Sequence, residues 1–259
     1  MQDVNGKVVS IQKINTNYTK MMLEVPEITK ISEPGQFVHV DCGQGVYSLL
    51  RRPLSIYRVI GNDLGLLFQI KGEGTKWLAD RQPGDKISLL GPLGRGFTLP
   101  SHGTIVLVAG GIGIAPLFFL TQEAIKKQLT VEFFFGAKNQ DSLILADGLE
   151  NLGVRLHIAM EDGSAGYQGM ITDVLNKQLK NIIPQAIFAC GPEPMLKSVT
   201  KIGIDTGIET QVSLEARMAC GVGACRGCVT TIQREGEITL ENVCSEGPVF
   251  NGREVVFHD

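Results

Sequence analysis

One short stretch constrains this chain more than any other. Cys220-Gly-Val-Gly-Ala-Cys225-Arg-Gly-Cys228 sets three cysteines in a Cys-x4-Cys-x2-Cys run, and Cys244 follows after fifteen intervening residues. Cysteines that cluster this way in a reducing compartment point to a metal site rather than to disulfides. The spacing, with a distant fourth ligand, is that of a plant-type [2Fe–2S] loop. The interleaved glycines have a physical use: a loop wrapped around a cluster must turn tightly and aim N–H groups at its sulfurs. Four thiolates also suit tetrahedral zinc, but a zinc ribbon shows two paired Cys-x2-Cys knuckles and only one is present. Four purely structural cysteines are the bland alternative.

The 259 residues suggest two domains and a small third. A net charge of −3 offers no basic field for nucleic acid or an anionic membrane, and 43% hydrophobic with 20% charged residues matches a globular enzyme. The charge-free stretch from Gly96 to Gln122 is broken by Pro100, Gly103, Gly110, Gly111, Gly113 and Pro116, so it reads as a buried strand, a glycine turn and a helix start. Met1–Lys7 lacks the basic-then-apolar pattern of a secretory signal. The expectation is a soluble cytoplasmic protein.

Residues 1–100 read as short strands at Val4–Ile14, Tyr18–Val25, Gln36–Val40, Ser55–Ile60, Gly65–Ile70 and Lys86–Leu90, with one helix at Thr75–Arg81. Such a pattern predicts an antiparallel β-barrel. After Pro100 the period changes. Strands at Thr104–Ala109, Val131–Gly136, Val154–Met160 and Ala186–Cys190 alternate with helices at Pro116–Lys127, Leu143–Leu152, Met170–Leu179 and Glu193–Gly203, and Gln211–Leu214 reads as a last strand. That alternation predicts an open α/β parallel sheet. Residues 215–259 form a small C-terminal segment with the cysteines and strands at Val229–Gln233 and Ile238–Leu240 around a Glu235-Gly236 turn. The predicted units are therefore 1–100, 101–214 and 215–259.

Several further residues carry chemistry. Arg51-Arg52-Pro53-Leu54-Ser55 ends a loop and opens a strand, and Gly72-Glu-Gly74-Thr75 precedes the short helix. An Arg can clamp a pyrophosphate bidentately, and a helix N-terminus offers N–H groups to phosphate. Alone, each is as easily a surface turn or a helix cap. Ala109-Gly110-Gly111-Ile-Gly113-Ile-Ala115-Pro116 joins a buried strand to a helix, where glycines let a pyrophosphate approach the backbone. Cys190-Gly191-Pro192 lies at the carboxyl end of a strand, where such sheets bind ligands; the plain reading is a buried apolar cysteine. His39, His102, His157, His258, Trp77, Cys42, Lys138 and the Glu161-Asp162-Gly163 loop read as structural or solvated. No general acid–base pair stands out, and no residue is assigned a catalytic role.

Taken together, these motifs resemble the ferredoxin reductase superfamily. Its Arg-x-Tyr-Ser flavin motif is matched by Arg52, Pro53, Leu54 and Ser55, with Leu54 where the family has a stacking tyrosine. The resemblance carries Gln69, Ile70, Lys71, Gly74 and Thr75 over to FAD, and Gly91–Phe97 to the barrel exit. It also carries Gly110, Gly111, Gly113, Cys190 and Gly191 over to NAD. Over nearly the whole chain, Met218–Cys228 and Cys244 followed by Gly247-Pro-Val-Phe250 resemble the electron-transfer subunits of B-type, NAD-dependent dihydroorotate dehydrogenases. That resemblance implies a cluster held by Cys220, Cys225, Cys228 and Cys244. It also implies an FMN-containing catalytic partner in a heterotetramer with two copies of each subunit, and electron flow from FMN through the cluster and FAD to NAD+ in pyrimidine biosynthesis. The alternatives are the small subunit of NADH-dependent ferredoxin:NADP+ oxidoreductase, whose first ligand is typically Asp, a stand-alone NADH reductase with a longer gap before the last cysteine, and a zinc-bearing interaction module.

Overall fold

A computed structural model describes residues 1–43 and 49–257. Its first strands are β1 (Gln2–Lys13), β2 (Tyr18–Glu24), β3 (Phe37–Val40), β4 (Arg52–Ile60), β5 (Asp63–Gln69) and β6 (Lys86–Leu93). They close into an antiparallel barrel in the order β1-β2-β5-β4-β3-β6. Alternation along each strand decides what faces inward. Met21 and Leu23 of β2, Val38 and Val40 of β3 and Leu64 and Leu66 of β5 share one buried core with Ile56 and Leu89. A single helical turn, α1 (Pro26–Thr29), starts at a proline, and α2 (Glu73–Ala79) buries Leu78 and Ala79. Sequence periodicity does not reveal α1, because one turn is too short to show a period.

The second unit is built on β7 (Thr104–Gly110), β8 (Thr130–Ala137), β9 (Arg155–Met160), β10 (Tyr167–Gln168), β11 (Ala186–Cys190) and β12 (Glu209–Ser213). These strands are parallel, in the order β10-β9-β8-β7-β11-β12. Strand β7 is apolar and buried from Ile105 onward because both of its faces are covered. Ile105, Leu107 and Ala109 pack in one core with helix α3 (Ile114–Lys126), while Val106 and Val108 pack on the other face. There they meet α5 (Ile171–Gln178) and α6 (Glu193–Thr206). The predicted helix at Leu143–Leu152 is shorter in the structure. Gln140–Ser142 forms a 3-10 turn and Leu145 takes φ +63, so α4 starts only at Ala146 and ends at Asn151.

After β12 the chain runs without helix or strand through the cysteine loop. It then forms a hairpin of β13 (Val229–Arg234) and β14 (Glu237–Asn242), joined at Glu235 and Gly236 with φ +51 and +88. Positive φ at both turn residues matches the twist of the flanking strands. The chain then returns as β15 (Val249–Asn251), which pairs antiparallel with β12 and completes a seven-stranded sheet. Strands β10 and β15 are not legible in the sequence, being only two and three residues long.

Among the contacts that hold the parts together, three are specific. The Gln211 side chain on β12 bonds both N and O of Thr98, each at 2.9 Å. The Arg95 N–H at the barrel exit donates to Gly247 O at 2.6 Å. The Phe97 ring meets Phe188 of β11 edge-on at 5.7 Å. Among the described residues, no helix is long and apolar enough to cross a membrane.

Candidate functional site

Strand order reverses at β7, whose neighbours are β8 on one side and β11 on the other. Ligands bind outside the carboxyl ends of the strands at such a point. A cavity of about 440 Å³ opens there, between the sheet and the outer wall of the barrel. That volume falls in the range of cofactor-sized pockets. Strand β4 supplies Arg52, Pro53, Leu54 and Ser55 to its wall. Gln69 and Lys71 also line it, whereas Ile70 between them packs against the barrel core. The resemblance places Ile70 at the cofactor, but it is not among the residues that line the cavity.

Arg52 and the start of α2 form one wall. A Cβ on Gly74 would lie 3.3 Å from Arg52 Nε and 3.1 Å from Cys42 Cβ, so the guanidinium lies against the first turn of α2. Thr75 Oγ1 accepts the N–H groups of Lys71 at 3.0 Å and Gly72 at 3.2 Å, which folds the turn. A guanidinium beside the open N–H groups of a helical first turn is a fit for a pyrophosphate.

The nucleotide turn behaves differently from the simple expectation. A Cβ on Gly113 would stand 2.1 Å from Cys190 O, and one on Gly110 would stand 2.6 Å from Pro192 Cδ. One on Gly191 would meet Gly110 N at 2.8 Å. These three glycines let two strand-end turns pack backbone to backbone. Gly111, at φ +53, has open space where a side chain would stand, and its backbone conformation is the one glycine enters freely. Of the expected nucleotide residues, Gly113 and Cys190 line the cavity, while Gly110, Gly111 and Gly191 do not. Gly113→Ala is therefore expected to cost about 3 kcal/mol by overpacking and to lower Tm by roughly 6–12 °C. A melting temperature within about one degree of the parent would refute this packing role.

Cys190 is buried at the end of β11, and burial pushes its thiol up to about 12; nearby Glu215 adds to the rise and a hydrogen bond with Ser213 opposes it. It is held as a neutral thiol in the cavity wall. Sequence reasoning assigns no cofactor role to other residues of this wall, among them Ile112, Ser213, Glu215 and Ala216. The position of Ser213 at the end of the last parallel strand is the available signal.

The segment Ser213–Met218 leads directly into the cysteine loop. Gly221 and Gly223 take φ +72 and +80 there, a region glycine enters freely. The turns aim backbone N–H groups at sulfur. Val222 N and Cys225 N donate to Cys220 Sγ at 3.5 and 3.4 Å, Gly223 N to Cys244 Sγ at 3.1 Å and Gly227 N to Cys225 Sγ at 3.4 Å. The Val222 and Cys225 N–H groups hold the Cys220 thiol down at about 6. Cys244, buried beside Cys228, is pushed up to about 12 by burial. A bound metal deprotonates such a thiol outright.

Among the described residues no single point gathers three ligands for one ion. Cys220 interacts with Cys225, and Cys244 with both Cys228 and Cys220, so the four thiols gather at one loop. Thiols served by backbone N–H donors in this way fit the sulfur-rich surroundings of a two-iron cluster.

The residues that read as structural or solvated divide. His157 Nε2 lies 2.8 Å from the buried Glu132 carboxylate, and its ring stacks on Phe134. His102 meets Ser101 at the surface, and Trp77 stacks under Arg81 at 3.9 Å. Lys138 is exposed and Cys42 is buried, while His258 lies outside the described residues.

Known proteins match this chain along its length. Residues 215–256 match the iron–sulfur cluster binding domain of dihydroorotate dehydrogenase B, and residues 107–201 an oxidoreductase NAD-binding domain. The dihydroorotate dehydrogenase B (NAD(+)) electron transfer subunit of Desulforamulus reducens is 39% identical over 256 residues, covering 98% of each chain. That of Bacillus cereus is 37% identical over 262 residues, covering 99% of each. Among solved structures, an NADH-dependent reduced ferredoxin-NADP oxidoreductase aligns with TM-score 0.87 and 28% identity, covering 97% of this chain and 90% of that one. A ferredoxin NADP+ reductase from Neisseria gonorrhoeae with bound FAD and NADP aligns with TM-score 0.67 and 21% identity over 80% of this chain and 92% of that one, and shares the fold. With full-length identity of this order on both sides, the chain belongs to the family of dihydroorotate dehydrogenase B (NAD(+)) electron transfer subunits.

Proposed function

We propose that this chain is the NAD-linked half of a dihydroorotate dehydrogenase. It takes electrons from an FMN-bearing catalytic partner and delivers them to NAD+ in a cytoplasmic assembly with two copies of each subunit. The carrying observation is continuity: Ser213, Glu215, Ala216 and Met218 line the cavity, and Cys220 opens the thiol loop two residues on. When bound, FAD and a [2Fe–2S] cluster supply the conversion between one-electron transfer and two-electron nicotinamide chemistry.

The chain's own residues do the positioning. Residues 1–100 hold FAD: Arg52 and Gly74 take the pyrophosphate, Ser55, Gln69 and Lys71 take polar atoms of the ring, and Pro53 and Leu54 supply apolar wall. Thr75 shapes the turn beneath the phosphates. Residues 101–214 hold NAD, with Gly111 leaving room for the dinucleotide and Cys190 beside the nicotinamide. Gly110, Gly113 and Gly191 set the two turns against each other. Residues 215–259 hold the cluster through Cys220, Cys225, Cys228 and Cys244.

The reading is tested on the purified chain. Two irons and one FAD per chain are expected, both cofactors bleaching anaerobically with NADH. Dihydroorotate alone is expected to bleach neither, because the described cavity is assigned to FAD and NAD. Adding the FMN subunit should start dihydroorotate-dependent NADH formation. Zinc in place of iron, or dihydroorotate turnover by the isolated chain, would overturn the proposal.

A further inference from the structure

Strand β3 turns Val38 and Val40 into the barrel, so its alternate residues, Phe37 and His39, face outward. Neither reaches water. Phe37 lines the flavin cavity, and His39 is 1% exposed with its ring edge-on to Phe37 at 6.1 Å. What covers His39 is the cysteine loop. A Cβ on Gly221 would lie 2.9 Å from His39 Nδ1 and 3.0 Å from Cε1, so the imidazole packs on the backbone of the residue that follows Cys220. On its other side His39 is the register partner of Pro53, a cavity residue of β4. The ring thus sits between the flavin-lining strand and the loop of the first cysteine.

Both of its nitrogens are buried, and neither has a hydrogen-bond partner among the described residues. Burial, helped by the Arg51 guanidinium, lowers the ring's pKa to about 4, so at neutral pH it is uncharged and carries one N–H. Buried donors are almost always satisfied, and an orphan one calls for an explanation. Sulfur held by the neighbouring loop is an acceptor of the right kind, since the same loop already directs four backbone N–H groups at its thiols.

We propose that His39 is a positioning residue for the iron–sulfur cluster, giving its ring N–H to cluster sulfur and seating the Cys220 loop against the flavin strand. The proposal rests on the cluster assignment above. A hydrogen bond to cluster sulfur stabilises the reduced, more negative form, so His39 raises the reduction potential.

The experiment uses the full holo chain, with histidine labelled by ¹⁵N in the ring and the cluster reduced by dithionite. Pulsed EPR is expected to show a weak ring-nitrogen coupling that disappears in His39→Phe. With iron and flavin content unchanged, His39→Phe should raise the oxidised-to-reduced ratio about tenfold at fixed poise, a fall of about 59 mV for one electron. His39→Gln, which keeps a side-chain N–H, should recover part of that shift. An unchanged potential in iron-replete His39→Phe would mean the ring only packs. Should that variant fail to load iron, the labelled parent decides, and no histidine coupling there overturns the proposal. Iron content separates this outcome from failure of the cluster assignment itself, which would leave the parent without iron.

Discussion

Cys225→Ser is expected to give a folded, flavin-bearing chain that has lost its iron. The side chain is exposed, and its sulfur accepts one backbone N–H, from Gly227, so the fold loses little. Exposed substitutions of this kind usually change stability by no more than about 0.5 kcal/mol. The ligand is another matter, because it is the thiolate that binds metal and a serine hydroxyl stays protonated at neutral pH. Iron per chain should fall at least about tenfold, since losing even an outer partner of a metal ligand costs roughly 10–100-fold in affinity. Visible absorbance should drop to the flavin component. Cys42→Ser is the control: this buried cysteine sits behind Gly74, and its loss should leave iron at the parental level. Parental iron in Cys225→Ser would remove this residue from the ligand set.

Arg52→Ala should weaken FAD binding roughly 10- to 100-fold. A hydrogen bond to a charged group contributes about 1.5–3 kcal/mol, and each 1.4 kcal/mol is a factor of ten. Arg52 lies against the first turn of α2, where Gly74 leaves room for its Nε. Lysine at this position is expected to recover only part of the affinity, because a point charge cannot repeat the planar two-pronged geometry. The measurement is the flavin-to-protein ratio after gel filtration, followed by a fluorescence titration of the apoprotein. Full occupancy in Arg52→Ala would show that the phosphates are held elsewhere.

The barrel and the parallel sheet are readable because burial leaves a periodic trace. Strand β7 is buried on both faces and reads apolar from Ile105 onward, while β2 alternates. The cysteine spacing is readable because ligands are few and chemically distinctive. What the chain does not advertise is contact between distant segments. Glu215 and Ala216 enter the cavity only because β12 ends beside it, and nothing in their local sequence marks them. Gly110, Gly113 and Gly191 are legible as necessary, but their near neighbours are the Cys190–Met195 turn and one another. His39 reads as an ordinary core residue because its relation to Gly221 spans most of the chain and leaves no local pattern.

The pairing of β15 with β12 changes what kind of part the cluster segment is. Ser213 and Val249 are direct partners in that ladder, so residues 215–248 leave the sheet and come back to adjacent positions. In topological terms the one-electron centre is an insertion into a β-hairpin, not an appendage on the end of a reductase. Pairing the two stems bears the cost of closing the loop, and that cost grows only slowly with length, about 0.6 kcal/mol for each doubling. Exchanging residues 215–248 between these two anchor points would carry the cavity residues Glu215, Ala216, Met218 and Pro248 along with the thiols. Cutting the chain after Leu214 would instead strip β15 from β12 and leave a raw sheet edge open to association.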